Sequence, residues 1–139
     1  MTLALYRKKG AWADWAIRLR TGSIYSHCEL LHKGLAYSSS VRDKGVRVKV
    51  LDFPREGWDL IALPNADPVW LLDFFEATKG QGYDWRGIIL GHALGLRINE
   101  DDKWFCSEWC AAALGLDIPN RHSPGSLAKH ILSAGLMQS

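Results

Sequence analysis

Several features that would by themselves indicate a function class are missing from this sequence. The 17 basic and 15 acidic residues are mostly interspersed, so no block of like charge resembles a nucleic-acid-binding arm. The longest apolar stretch, at 88–96, is far shorter than the ~20 residues that a membrane span requires. The GQG at 80–82 is too little to indicate a Gly-rich phosphate loop. We therefore expect no nucleic-acid partner and no integral membrane segment, and the oligomeric state stays open.

Cysteine is also scarce, and its three residues are an odd number, which argues against a disulfide framework. Cys106 and Cys110 are four residues apart and would share a helix face, but their parallel Cα–Cβ vectors suit a disulfide poorly. A zinc site made of these two thiols with Cys28 and a histidine is an alternative. However, Cys28 should point away from His27 on their strand, and no zinc-finger spacing is present. We expect three free thiols, no metal, and a reducing compartment at synthesis.

The length and composition predict one folded domain over residues 1–139. Hydrophobic residues make up 47% of the chain and charged residues 23%, which is ordinary globular usage and excludes a disordered or fibrous class. Strand-like segments dominate the first half, and helical spacing dominates the second. We expect an α+β fold in which helices pack on one antiparallel sheet. Strands are predicted at 3–6, 24–31, 35–40, 46–50 and 58–63, and helices at 12–19, 68–79, 106–114 and 124–134.

Two local patterns in the first half make more detailed predictions. A turn at Lys33 and Gly34 should join the second and third strands into a hairpin. In the next strand Val46, Val48 and Val50 alternate with basic residues, which predicts one buried and one solvated face. Residues 80–85 are predicted to form a loop.

A cysteine stands at the predicted start of a helix in which residues 111–113 are all alanine. At a helix N-terminus, unpaired backbone N–H groups and the positive end of the macrodipole favour the thiolate over the thiol. Cys106 is therefore a candidate nucleophile, and Gly115 offers a left-handed end to its helix. Free cysteines are also among the most buried residue types, so an inert core cysteine is the alternative.

A thiolate nucleophile needs a base, and His27 is the best placed of the five histidines. It stands at the start of a predicted strand, where its side chain would reach the rim of the sheet. Glu29 lies two residues on, and residues i and i+2 of a strand share a face, so this carboxylate could orient the imidazole. Ser38 on the paired strand competes for the same role. Taken singly, His27 and Glu29 also fit a structural histidine and an exposed strand charge.

Three short motifs and their order resemble the circularly permuted branch of the NlpC/P60 papain-like superfamily. They are YSHCEL at 25–30, GYDW at 82–85 and FCSE at 105–108. This branch includes the YiiX-like proteins and is related to the lecithin:retinol acyltransferase group. In the unpermuted family the nucleophile helix precedes the sheet, whereas here the histidine strand comes first. The resemblance spans nearly the whole chain and implies a permuted papain-like fold.

The resemblance also implies roles for individual residues. Cys106 would be the nucleophile, His27 the base, and Glu29 or Ser38 the third polar residue. The implied reaction is acyl transfer, in which the thiolate attacks an amide or ester carbonyl and helix-terminal N–H groups stabilise the oxyanion. This chemistry needs no cofactor.

The substrate-binding residues that the resemblance implies are Tyr25, Ser38, Tyr83 and Trp85. Two positions depart from the pattern of the family. Tyr83 lies farther from the cysteine than the loop tyrosine of the unpermuted motif, and Phe105 replaces the acidic residue that often precedes the cysteine.

Three function classes fit these residues. The resemblance favours a cysteine peptidase or amidase that acts on peptidoglycan stem peptides. A lipid-directed acyl hydrolase or acyltransferase is the second class, and a broad apolar cleft around Ile88, Leu90 and Leu94 would distinguish it. The third is a non-catalytic accessory domain of a phage or wall-associated assembly, in which Cys106 and His27 would lie out of reach of each other.

The start of the sequence has no signal-peptide pattern, because the basic residues 7–9 follow the apolar ones and no long apolar stretch comes after them. We therefore expect the protein to be cytoplasmic at synthesis. A wall substrate would then require delivery by a phage-type or other export route.

Overall fold

The computed structural model describes residues 1–7, 24–40, 43–50, 56–83, 103–116 and 123–134. Within these ranges the protein has an α+β architecture with a five-stranded antiparallel sheet and three helices. The strands of the sheet are β1 (Thr2–Tyr6), β2 (His27–His32), β3 (Leu35–Ser40), β4 (Gly45–Val50) and β5 (Trp58–Ala62). The helices are α1 (Pro68–Thr78), α2 (Cys106–Ala113) and α3 (Pro124–Ser133), and a separate pair of short strands consists of β6 (Gly82–Tyr83) and β7 (Lys103–Trp104).

The strands of the sheet lie in the order β4, β3, β2, β1, β5. β2 and β3 form the predicted hairpin, in which His32 pairs with Leu35. The two residues between them, Lys33 and Gly34, both have positive φ, as a tight two-residue hairpin turn requires. This turn sets the register of β2 against β3 and therefore decides which side chains lie opposite each other at the site.

The core lies between one face of the sheet and the helices. Helix α2 packs on β2 and β3, because its alanines allow its backbone to approach the strands closely. Buried side chains of both layers form one hydrophobic cluster, which includes Leu3, Leu5, Cys28, Leu30, Cys106, Trp109, Cys110, Leu127 and Ile131. The N-terminal end of α2 thereby comes to rest over the end of the sheet at which β2 begins.

Trp109 ties α2 to α1. Its side chain is fully buried, and its indole N–H donates to the hydroxyl oxygen of Thr78 at 2.8 Å. The Thr78 hydroxyl in turn donates to the carbonyl of Phe74 at 2.8 Å. A buried indole is stable when its single polar group has a partner, so this hydrogen bond holds α2 in position against α1.

The helix boundaries that the sequence predicts are confirmed by their caps. The side chain of Asp67 accepts from the backbone of the second residue of α1, and Pro68 is the first residue of that helix. Ser123 and Ser126 cap α3 reciprocally. α2 begins at Cys106, as predicted, and Gly115 has a φ of 73° just beyond its end.

Two predictions about the strands are wrong in part. Val46 is buried, but Val48 and Val50 are 38% and 78% exposed, because β4 is the edge strand on its side of the described sheet and α2 covers β2 and β3. Part of the predicted loop at 80–85 is instead strand β6, which pairs in parallel with β7.

Gly45 lies where a neighbouring segment comes very close to β4. A Cβ atom added there would lie 1.9 Å from the carbonyl oxygen of Gln81, and Val46 donates its backbone N–H to that same carbonyl at 2.8 Å. Only glycine allows this approach.

The predicted helix at 12–19 and the apolar segment at 88–96 lie outside the described residues. No helix in the described part of the chain is long and apolar enough to cross a lipid bilayer.

Candidate active site

Cys106 is the first residue of α2, as the sequence predicts. Phe105 precedes it as the N-cap residue and provides no side-chain hydrogen bond to the first turn. The carboxylate of Glu108 instead accepts from the backbone N–H of Phe105 at 3.3 Å. The Cys106 thiol is therefore held at the positive end of the helix, where backbone amides favour a negative charge. Its side chain is fully buried.

His27 and Glu29 share a face of β2, as the alternation of a strand requires. The Nε2 atom of His27 lies 3.0 Å from Oε1 of Glu29. The side chain of His27 is 19% exposed and that of Glu29 only 7%, so the carboxylate is a buried partner and not an exposed strand charge. Because Nε2 is engaged by Glu29, Nδ1 is the ring nitrogen left for the thiol.

Cys106 and His27 interact, and each changes the ionisation of the other. Burial alone would raise the pKa of the Cys106 thiol, but hydrogen bonds with Cys28 and His27 and the imidazolium charge lower it from 9.0 to about 5. Burial alone would lower the pKa of His27, but hydrogen bonds with Cys106 and Glu29 and the charges of these two groups raise it from 6.5 to about 10. Between these two values the pair exists as thiolate and imidazolium.

Cys28 belongs to this cluster, contrary to the sequence prediction. It does alternate with His27, and its side chain lies in the core below α2. However, Cys106 lies at the end of β2 and interacts with the side chains of both residues. Burial raises the pKa of Cys28 well above its ordinary value, and hydrogen bonds with Cys106 and Cys110 add to this effect. Cys28 therefore stays a neutral thiol that can donate to the Cys106 thiolate.

All three cysteines are free thiols, as predicted. Cys110 lies one turn after Cys106, and its sulfur is 3.8 Å from the carbonyl oxygen of Cys28. Within the described residues, no group of three or more histidine, cysteine or acidic side chains is arranged to hold a metal ion.

Ser38 does not contact the imidazole. Its hydroxyl donates to the carbonyl of Cys28 at 2.7 Å and lies 3.2 Å from that of Ser39. The side chain is fully buried, and both of these contacts are with backbone carbonyls and not with the ring of His27. Of the two candidates for the third polar residue, Glu29 is the one that lies against the ring.

Tyr25 lies beside the end of β2 at which His27 begins the strand. Its hydroxyl donates to Oδ2 of Asp59 at 2.8 Å, and Oδ1 of Asp59 lies 3.1 Å from Nε of Arg7. Burial and the neighbouring carboxylate raise the pKa of Tyr25, so the phenol is a neutral donor. These three residues form a polar, partly exposed group near His27.

The other two predicted substrate-binding residues are described in part or not at all. The backbone of Tyr83 belongs to β6, which pairs with β7, immediately before α2. This pairing brings the backbone of Gly82 and Tyr83, the first half of the GYDW motif, beside the segment that leads into the FCSE motif. Trp85 lies outside the described residues.

Two residues that sequence reasoning missed complete the surroundings of His27. The ring of Trp58 on β5 lies nearly perpendicular to the imidazole, with ring centroids 6.3 Å apart and an interplanar angle of 78°. Arg47 on β4 forms an ion pair with Glu29. The hairpin turn could have placed Glu29 opposite Ser38, but no local pattern in the sequence specifies the register of β4 against β3, so none pointed to Arg47.

No protein-family model and no curated protein sequence matches this chain. The assignment of a function therefore depends on the residues of the site and their geometry.

Proposed function

We propose that the protein is a cysteine-nucleophile hydrolase of the peptidase or amidase type. The observation that carries the proposal is the hydrogen-bonded line from Cys106 through His27 to Glu29, which joins the first residue of a helix to one strand. A nucleophile, a base and a buried group that orients the base are the three parts that this chemistry requires.

The mechanism follows from the charges of these groups. The Cys106 thiolate attacks the carbonyl carbon of the substrate, and the oxyanion forms near the first-turn amides of α2, including that of Cys106. The imidazolium of His27 donates its proton to the leaving amine, and a thioester remains on Cys106. His27, now neutral, takes a proton from water, and the hydroxide attacks the thioester. The carboxylic acid leaves, and the thiolate and imidazolium are restored.

Glu29 supports both steps. Its carboxylate accepts from Nε2 of His27, which keeps the ring in one orientation and stabilises its positive charge. Burial alone would raise the pKa of Glu29, but His27 and Arg47 lower it, so the group is ionised throughout the pH range in which the catalytic pair is charged.

The permuted papain-like fold belongs to the same proposal. The order of the elements supports it, because the histidine strand β2 precedes the nucleophile helix α2 in the chain. The helix also packs on the strand that carries the histidine, as a shared site requires. We propose peptidoglycan stem peptides as the substrate, and this choice comes from the motifs of the sequence.

In the decisive experiment the protein is incubated separately with two substrate classes. The released products and any acyl adduct on the protein are then identified. We expect purified peptidoglycan to release peptide fragments and acylated lipids to release no fatty acid. Quenched reactions should contain a covalent adduct that peptide mapping places on Cys106. Cys106→Ser should abolish both release and adduct, whereas Cys110→Ser, one turn along the same helix, should retain them.

Two other outcomes would replace this proposal. Release of fatty acid from lipids with intact stem peptides would assign the protein to the lipid-directed acyl hydrolases or acyltransferases. The residues around which an apolar cleft was expected, Ile88, Leu90 and Leu94, lie outside the described residues. No turnover and no adduct with either substrate class would favour a non-catalytic accessory domain.

A further inference from the structure

We propose that Arg47 is a positioning residue for His27, acting through Glu29, and that the site therefore extends across three strands to β4. This inference rests on the proposed function for its catalytic meaning, but its contacts do not depend on a substrate. Arg47 touches neither of the two reacting side chains in any described contact. Its effect passes through the carboxylate that it shares with the imidazole.

The contacts of Glu29 define the arrangement. Oε1 lies 3.0 Å from Nε2 of His27, and the same oxygen accepts from Nη2 of Arg47. One buried carboxylate oxygen thus lies between two cations. Because Glu29 cannot turn toward solvent without leaving both partners, Arg47 fixes the position of the acceptor that orients the imidazole.

Arg47 is itself held at two further points. Its Nε donates to Oδ2 of Asp43 at 2.8 Å, and its Nη1 donates to the carbonyl of Ala36 at 3.4 Å. Its side chain is only 15% exposed. A guanidinium offers several donors in one rigid plane, so this side chain can bind three acceptors at once and has little freedom to move.

The sheet register explains how an arginine two strands away reaches Glu29. Ser38 pairs with Arg47, and the register that pairs Leu30 with Tyr37 brings Glu29 opposite Ser38. Neighbouring strands lie about 4.8 Å apart, so Arg47 must pass over the side chain at position 38. Serine is small enough for this, and its hydroxyl is turned to the Cys28 carbonyl.

The charges around Glu29 are balanced by this arrangement. His27 faces it from β2 and the Cys106 thiol faces His27 from α2, while Asp43 lies between the two basic side chains of β4. Lys49 Nζ is 2.7 Å from Oδ2 of Asp43. Loss of the Arg47 cation leaves Glu29 with one cationic partner, which favours protonation of both buried anions, Glu29 and Cys106.

The test measures the alkylation rate of Cys106 against pH by mass mapping, with no substrate present. The acid limb of this profile is the pH range in which the rate falls because the Cys106 thiolate is protonated. Arg47→Met should move this limb to higher pH by about 1 unit. The matched control is Lys49→Met, which removes a cation from the same strand and the same ion-pair chain but has no described contact with Glu29. It should leave the acid limb in place. Equal profiles for Arg47→Met and the wild type would overturn the proposal.

Arg47→Lys distinguishes the effect of the positive charge at position 47 from the effect of the guanidinium geometry. It also provides a test if Arg47→Met does not fold. A lysine keeps the charge but cannot reproduce the three-point binding of the guanidinium. We expect a wild-type acid limb, together with a broadened or shifted ¹⁵N resonance of the His27 Nε2–H group. With an active substrate, kcat should fall and KM stay unchanged. An unaltered ¹⁵N resonance in Arg47→Lys would contradict the positioning role.

These readouts distinguish the two proposals. If no substrate is hydrolysed but the acid limb moves in Arg47→Met, the positioning of His27 stands and the proposed hydrolase function fails. If peptides are cleaved and neither Arg47 variant changes the profile or the ¹⁵N resonance, the function stands and the role of Arg47 is wrong.

Discussion

The imidazole of His27 and the carboxylate of Glu29 meet through Nε2 and Oε1 at 3.0 Å on one face of β2. This contact assigns the two ring nitrogens different tasks. Nε2 belongs to the carboxylate, and Nδ1 is left to exchange a proton with the Cys106 sulfur. In the proposed function, the nucleophile Cys106, the base His27 and the orienting group Glu29 therefore follow one another in a single direction, from the helix N-terminus into the sheet.

Glu29→Gln should lower kcat/KM by about 100-fold, because the amide removes the charge that stabilises the imidazolium. Since Glu29 also pairs with Arg47, we expect the free energy of unfolding to fall by about 1–3 kcal/mol. Steady-state kinetics and urea denaturation measure the two effects. Ser38→Ala is the control on the neighbouring strand, and it should keep near-wild-type activity because its hydroxyl binds a backbone carbonyl. A large loss of activity in Ser38→Ala together with near-wild-type activity in Glu29→Gln would instead make Ser38 the residue that orients His27.

Cys106 should be alkylated faster than the other two cysteines by a small neutral reagent near neutral pH. Its pKa is lowered to about 5, whereas burial raises the pKa of Cys28 well above its ordinary value, and the thiolate is the reacting species. Iodoacetamide labelling with peptide mapping measures the order. Faster labelling of Cys28 or Cys110 in the folded protein would show that the nucleophile has been assigned to the wrong residue. Denatured protein is the control, in which the three rates should converge.

The free energy of unfolding should depend on pH through Cys106 and His27. The pKa of Cys106 falls from 9.0 to about 5 on folding, so its contribution is complete above 9.0 and is lost as pH falls through about 5. The pKa of His27 rises from 6.5 to about 10, so its contribution is complete below 6.5 and is lost as pH rises through about 10. Together these two groups predict that the free energy of unfolding increases between about pH 5 and pH 6.5 and is level up to pH 9.0. Above pH 9.0 it should decrease.

Urea denaturation across this pH range checks the prediction, with Cys106→Ser as the comparison. A serine hydroxyl does not ionise in this range, so the stability that the wild type gains on the acid side should be missing from the variant. Parallel pH profiles of the two proteins would mean that Cys106 has an ordinary pKa in the folded state.

Thr78→Val should destabilise the protein by about 1–3 kcal/mol, because it leaves the buried indole N–H of Trp109 without its acceptor. Valine has nearly the shape of threonine, so the loss reports on the hydrogen bond and not on a cavity. Thr78→Ser keeps the hydroxyl and should recover most of this hydrogen bond. Chemical denaturation of the three proteins is the measurement, and a Thr78→Val variant as stable as the wild type would show that this bond does not hold α2.

Several parts of the site could be read from the sequence because they depend on short-range geometry. The period of a strand places Glu29 on the same face as His27. The alanine run and the glycine that follows it indicate a helix that begins at Cys106, and the Lys33 and Gly34 turn sets the pairing of β2 with β3. In each case the residues involved are separated by a few positions, so backbone geometry alone brings them together.

Other parts were decided only by the tertiary structure. The pairing of Arg47 with Glu29 requires the register of β4 against β3, which no short-range pattern in the sequence specifies. Cys28 meets Cys106 because α2 lies over the beginning of β2, although alternation along the strand points Cys28 away from His27. Val50 is exposed because β4 lies at the edge of the sheet that the described residues form, although its apolar pattern predicts burial. Local periodicity determines which side of an element a residue occupies, whereas the docking of distant segments determines what lies on that side.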